Sequence, residues 1–161
     1  MLKTKIAVFV SGGGTNFEAL INAQENGKIP HGGIVLMVSS SRTAYALKRA
    51  ENHGIKSVVC SKKELGSQVK FEEEILKNLA ENDIQLIVLA GFMSILSNEF
   101  TKKYENRIIN IHPSLIQSFC GEGVYGLHVH EAARKKGVKV TGAMVHIVNE
   151  IHVGGPLIMQ R

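Results

Sequence analysis

The feature that most limits what this chain can fold into is its alternation of short, β-branched apolar runs with segments whose apolar residues recur at helical spacing. "KIAVFV" (5–10) is followed by Phe17, Leu20 and Ile21, with Gly27 as a stop. "GIVLMV" (33–38) is followed by a helix expected to carry Ala44, Leu47 and Ala50 on one face and to end at Gly54. "IKSVVC" (55–60) precedes a helix through Phe71, Ile75 and Leu79, and "IQLIVLA" (84–90) and "RIINI" (107–111) read as further strands. Strands that are apolar on both faces belong to parallel sheets covered by helices on either side. The expected fold class is therefore α/β, an open, doubly wound, mostly parallel sheet. Beyond Ile111 the pattern gives a Gly-containing loop "SFCGEGVYG" (118–126), a short helix "HEAARKK" (130–136), a long strand "VKVTGAMVHIV" (138–148) and a strand-like "GGPLIMQ" (154–160).

With 161 residues the chain is expected to form one domain, 1–161, with a core that needs neither disulfides nor metal. The formal charge of +5 comes from scattered lysines, which reads as solvated faces and gives no nucleic-acid stripe. Cys60 and Cys120 are far apart and have no CxxC spacing, so reduced thiols in a cytoplasm are expected. The apolar run near the start is too short to span a membrane.

In open α/β sheets ligands bind beyond the carboxyl ends of the strands, and three such ends are unusual here. In "VSGGGTNFEAL", Gly12, Gly13 and Gly14 lead from a strand into a helix near Thr15 and Asn16. Glycines let the backbone approach an anion, and helix-start amides point at it, so a phosphate would fit. A tight turn capped by Thr15 or Asn16 fits equally. Phe17 occupies the third glycine position of GxGxxG, and the P-loop lysine is missing, so both nucleotide fingerprints fail.

The second end, "LAGFMSIL" (89–96), could line a flat, partly apolar ligand or run into a core-packed helix. At the third, Asn110 and His112 stand two apart just before Pro113, so they share a face as the strand ends. An imidazole can transfer a proton near neutrality, and a carboxamide can donate to a developing oxyanion; together they suit acyl transfer. The alternative is a turn-capping Asn and a half-buried His. His128, His130, His146 and His152 bring no convincing further ligands, so no metal site is assigned.

"SGGGTN" (11–16), "LAGFMSILS" (89–97), "NIHPSL" (110–115), "YGLHVHEAA" (125–133), "GVKVTGAMVHIVNE" (137–150) and "GGP" (154–156) together resemble the folate-dependent formyltransferases of the glycinamide ribonucleotide (GAR) type. The resemblance implies a Rossmann-like formyltransferase fold and formyl transfer from 10-formyltetrahydrofolate to the GAR amine in purine synthesis. It implies that Gly14, Thr15 and Asn16 hold the substrate phosphate. Met93, Ser94, Ile95 and Leu96, with Asn110, Asn149, Glu150 and Val153, would form the folate pocket, and Asn110 and His112 would be catalytic. The expected partners are these two small molecules, with no nucleic acid, membrane or metal, in a monomer or homodimer. Family members also continue past the position of "GGPLIMQ" with a strand and a helix, which this chain is expected to lack.

Val153 stands where that family carries an aspartate, which raises the pKa of the catalytic histidine and organises water. A valine has neither charge nor lone pair for this. Gln117 and Ser94 replace a frequent proline and arginine. Val153 and the expected lack of the terminal strand and helix favour a second hypothesis, a relative that binds phosphate or folate without turnover. A dinucleotide-binding domain is disfavoured by Phe17 and by the lack of an acidic residue after "VLMVSSS" (35–41).

Overall fold

A computed structural model describes residues 2–112, 144–147 and 157–160. The described elements run β1 (Thr4–Val10), α1 (Thr15–Glu25), β2 (Gly32–Ser39), α2 (Ala46–Asn52), β3 (Ser57–Val59), α3 (Lys62–Leu65), α4 (Gln68–Glu81), β4 (Leu86–Leu89), α5 (Asn98–Lys103), β5 (Ile108–His112), β6 (Met144–Ile147) and β7 (Leu157–Gln160). They form one sheet of order β3-β2-β1-β4-β5-β6-β7. The first five strands in chain order pair in parallel, whereas β5–β6 and β6–β7 are antiparallel. The mostly parallel, doubly wound architecture expected from the sequence is thus present.

β1 explains why the sheet is covered on both faces. Ile6, Val8 and Val10 pack with Phe17 and Ile21 of α1 and Ala46 and Ala50 of α2. Ala7 and Phe9 point into the opposite layer, with Phe71, Ile75 and Leu79 of α4 and Phe100 of α5. The pleat sends alternate residues to opposite faces, so a strand that is apolar at every position must be buried twice. A register shift opposite Ile6 and Ala7 interrupts the alternation in β2: Ile34 packs in one layer, while Leu36, two residues on, packs in the other.

Ser61, Ser67 and Ser97 cap α3, α4 and α5 by accepting from Glu64, Lys70 and Phe100 N–H groups. Some boundaries depart from expectation. Ala44 is buried but lies in the turn before α2, whose buried face is Ala46 and Ala50, one helical turn apart. α3 has no apolar periodicity to announce it. Residues 92–97 are not helical, so the core-packed helix considered for that stretch is absent and α5 begins only at Asn98. Cys60 is a buried free thiol whose pKa burial pushes up to about 11, so it behaves as a core residue. The loop, helix and cysteine expected across 113–143 lie outside the described residues. Among the described residues no helix is long and apolar enough to cross a membrane.

Phe9 is fully buried and meets Phe92 and Phe100 edge-on, with ring centroids 5.2 and 6.5 Å away. Phe9→Ala is expected to cost about 3–5 kcal/mol in urea unfolding, because it leaves a cavity under the strand that carries the glycine loop. A loss below about 1 kcal/mol would mean that the layer collapses around the gap.

Candidate active site

The strand order places a topological switch point between β1 and β4: the chain winds outward through β2 and β3 on one side, then returns to build β4 and β5 on the other. In open α/β sheets the ligand crevice lies at this point, outside the carboxyl ends of the strands. Phe9, Leu89, Asn110 and His146 are successive register partners in one row across β1, β4, β5 and β6. The fold thereby gathers Gly14–Asn16 after β1, Met93–Leu96 after β4 and Asn110 with His112 at the end of β5.

The glycine loop is held by its carbonyls. Gly12 O accepts from Ala46 N–H at 3.2 Å, Gly13 O from Arg49 Nε at 2.7 Å, and Gly14 O from Glu18 N–H at 2.9 Å. In a trans peptide the C=O and the next N–H point in opposite directions. Fixing these three oxygens therefore aims the N–H groups of Gly13, Gly14 and Thr15 away from their anchors. Among the described residues nothing accepts from these three or from Asn16 N–H. The helix N-cap is Gly14 at φ 76°, with no side-chain cap, so the turn capped by Thr15 or Asn16 is not formed; both residues are exposed. The open amides and the positive end of the α1 dipole together suit a phosphate.

Gly14 is required here twice over. Its φ is left-handed, and a Cβ would come within 2.8 Å of Ala46 Cβ. Its missing side chain lets α2 approach close enough for Ala46 and Arg49 to reach the loop carbonyls.

The 91–97 loop presents Met93 and Ile95, 56% and 73% exposed, while Leu96 is 2% exposed and belongs to the core. Residues the sequence did not single out fasten this loop. Ser11 Oγ accepts Met93 N–H at 2.8 Å and shares a hydrogen bond with Ser40 Oγ. Gln68 Nε2 donates to Ile95 O at 3.0 Å and to Glu72 at 2.7 Å, and the buried Glu72 carboxylate also accepts from Ser97 N–H at 2.6 Å. Apart from the Gln68–Glu72 pair, four residues apart on α4, these partners lie 25 to 82 residues apart, so no local spacing announces them.

On β5, Ile108 packs in the α4–α5 layer and Ile111 against the α1–α2 layer, so Asn110 falls on the α4–α5 side and is half-buried. The backbone of His112 pairs with Met144 one row beyond. Asn149, Glu150 and Val153 lie outside the described residues, as do His128, His130 and His152.

A charged cluster flanks the glycine loop. His53 closes α2 and places Nε2 2.8 Å from Glu18 and Nδ1 3.0 Å from Glu25, both on α1. Hydrogen bonds to Glu18 and then Glu25 raise the imidazole pKa, while the bond from His53, aided by Arg49, lowers that of Glu18.

The family of the chain follows from comparison. The formyl transferase family model matches residues 4–161, and the chain belongs to that family. It is 43% identical over 158 residues to the trifunctional purine biosynthetic protein adenosine-3 of Gallus gallus, covering 98% of this chain and 15% of the relative. It is 36% identical to the phosphoribosylglycinamide formyltransferase of Haemophilus influenzae, covering 97% and 71%. Two plant relatives, named as chloroplastic phosphoribosylglycinamide formyltransferases, are spanned over 51% and 54% of their lengths.

Solved structures agree. Glycinamide ribonucleotide transformylase 1 from Geobacillus kaustophilus matches with TM-score 0.88 at 38% identity, covering 99% of this chain and 81% of that one. Phosphoribosylglycinamide formyltransferase from Coxiella burnetii, in complex with CHES, matches with TM-score 0.87 at 38% identity, covering 98% and 71%.

Two predictions follow the geometry. Gly14→Ala is expected to destabilise by about 1–2 kcal/mol from the left-handed backbone alone, with a further loss from the Ala46 clash that Ala46→Gly restores; urea unfolding of the single and double variants measures this. The second concerns pH. The raised His53 pKa contributes stability that is complete below the ordinary value of 6.5 and is lost as pH rises through the raised value; the lowered Glu18 pKa contributes stability above 4.5 that is lost on acidification. The cluster thus supports the fold most between those values. In His53→Gln the alkaline loss across neutrality should flatten, whereas an unchanged slope would show that other groups cause it.

Proposed function

We propose that this chain is a GAR formyltransferase domain that moves a formyl group from 10-formyltetrahydrofolate to the GAR amine. What supports the reading is that the Gly13–Asn16 amides, which find no acceptor among the described residues, follow β1 in a sheet whose β5 ends on Asn110 and His112, in a chain of the formyl transferase family. The names of the relatives support the choice of substrates.

Gly14, Thr15 and Asn16 receive the GAR phosphate. Met93, Ser94, Ile95 and Leu96 contact the folate, Met93 and Ile95 through their exposed apolar side chains and the segment through its backbone. We assign Asn110, Asn149, Glu150 and Val153 to the same pocket. The GAR amine attacks the formyl carbon and forms a carbon–nitrogen bond, and the carbonyl electrons move onto oxygen. The Asn110 carboxamide donates to that oxyanion without titrating. Protonated His112 assists there; as the oxyanion re-forms the carbonyl and the bond from the formyl carbon to the folate nitrogen breaks, His112 delivers a proton to that nitrogen and recovers one from the attacking amine, which loses it to become the formamide. The chain's own residues therefore orient, stabilise charge and move a proton, with no metal required by the step. A cytoplasmic monomer or homodimer fits this chemistry.

His112→Ala should lower kcat by about 10²-fold or more with little change in KM for either substrate. Unchanged turnover would remove His112 from the mechanism. Val153 favours one competing reading, a domain that binds both ligands without turnover. A folate-analogue titration run beside a formyl-transfer assay separates them: binding with no turnover, restored by Val153→Asp, would establish the binding-only reading.

A further inference from the structure

We infer that Arg49 is a positioning residue for the substrate phosphate, acting by fixing the Gly13–Gly14 peptide plane from behind; this rests on the proposed reading of the glycine loop as the phosphate site.

Arg49 lies on α2, 36 residues from the carbonyl it holds. Its Nε donates to Gly13 O at 2.7 Å, and Nη1 lies 3.5 Å from the Glu18 carboxylate. Its Cζ sits 5.0 Å from the centre of the Tyr45 ring. The guanidinium is planar, so a bond at Nε, a carboxylate at Nη1 and an aromatic face beside it leave little freedom of orientation. The carbonyl it fixes belongs to the same peptide unit as the Gly14 N–H. That amide heads the helix, so the orientation of this plane decides whether it faces the crevice. On the Gly13 side nothing packs against this peptide, because Gly12 and Gly13 are exposed and a Cβ on either would meet nothing within 4 Å. On the Gly14 side α2 closes on the buried backbone, and the Arg49 bond to Gly13 O adds the directional hold that this contact lacks.

Glu18 gives the arrangement a second function. A carboxylate in the first turn of α1 would repel a phosphate bound at that helix start. Here it is engaged by Arg49 on one oxygen and His53 on the other, which offsets its field while it braces the guanidinium. The site then receives an anion on neutral amides, with the carboxylate of the first helical turn paired.

The test is calorimetric binding of GAR and of its dephosphorylated riboside to the intact protein, to Arg49→Met and to Arg49→Lys, with thermal unfolding of each as a folding control. The wild type should prefer the phosphorylated ligand. In Arg49→Met that preference should fall about tenfold, the scale of one charge-assisted hydrogen bond. Arg49→Lys should recover part of it, because a lysine can reach the carbonyl but lacks the planar Nε–H. General damage to the fold would weaken both ligands alike and leave the ratio unmoved, so a folded Arg49→Met with wild-type preference overturns the inference. Should Arg49→Met fail to fold, the ratio in Arg49→Lys decides, and an unchanged ratio there is equally fatal. A wild type with no preference for the phosphate removes the loop reading itself, and this inference with it.

Discussion

Burial of β1 on both faces is the constraint from which the site follows. Ile6, Val8 and Val10 face one helical layer, Ala7 and Phe9 the other, and β2 and β4 occupy both edges. A strand so enclosed has no room for chemistry along its length. Beyond Thr4 and Lys5, exposed at its start, polar residues enter only where it leaves the sheet, at Ser11 and the glycines that follow. Because β1 is also the strand from which the chain winds both ways, its exit lies at the switch point, beside the ends of β4 and β5. Core packing and ligand placement are thus one arrangement seen at two ends of a strand.

The loop after β1 shows how a fold aims backbone groups that no side chain could aim directly. Glycines give close approach but no preferred direction. Direction comes from α2, whose Ala46 N–H and Arg49 Nε hold two carbonyls, and from α1, whose first hydrogen bond holds the third. The absence of a Cβ on Gly14 lets α2 come close enough to do this. The 91–97 loop is fastened by similar means, through Ser11 on one side and Gln68 with Glu72 on the other. Ser11 thus ties together the loops assigned to the two substrates.

Much of this was legible in the chain because the signals are local. Strands buried on both faces leave continuous apolar runs, and Phe71, Ile75 and Leu79 spell out α4. Gly14, Asn110 and His112 stood out as residues that such runs would not otherwise end on. The misreadings have physical causes. Ala44 falls at helical spacing with Leu47 and Ala50, but it is buried from the turn before α2, so the spacing places the helix start too early. Leu96 enters the core and Phe92 packs against it while Met93 and Ile95 stay exposed, so the stretch from Phe92 reads as an amphipathic helix. Thr15 looked like a cap because threonine caps many helices, but here Gly14 takes that position. The roles of Arg49, Gln68 and Glu72 have no local signal because the loop groups they hold, at Gly13, Ile95 and Ser97, come from elsewhere in the chain, and an arginine on a short helix ordinarily signals a solvated face.

The central claim is that pinned carbonyls hold the Gly13–Asn16 amides open toward a phosphate. The most direct measurement is a ¹H–¹⁵N titration of the protein with GAR, following each backbone amide. The Gly13, Gly14, Thr15 and Asn16 amides are expected to shift downfield together and more than any others outside the crevice, as N–H groups do on taking up a charged acceptor. If GAR binds while these four amides stay in place, the phosphate lies elsewhere and the account is wrong.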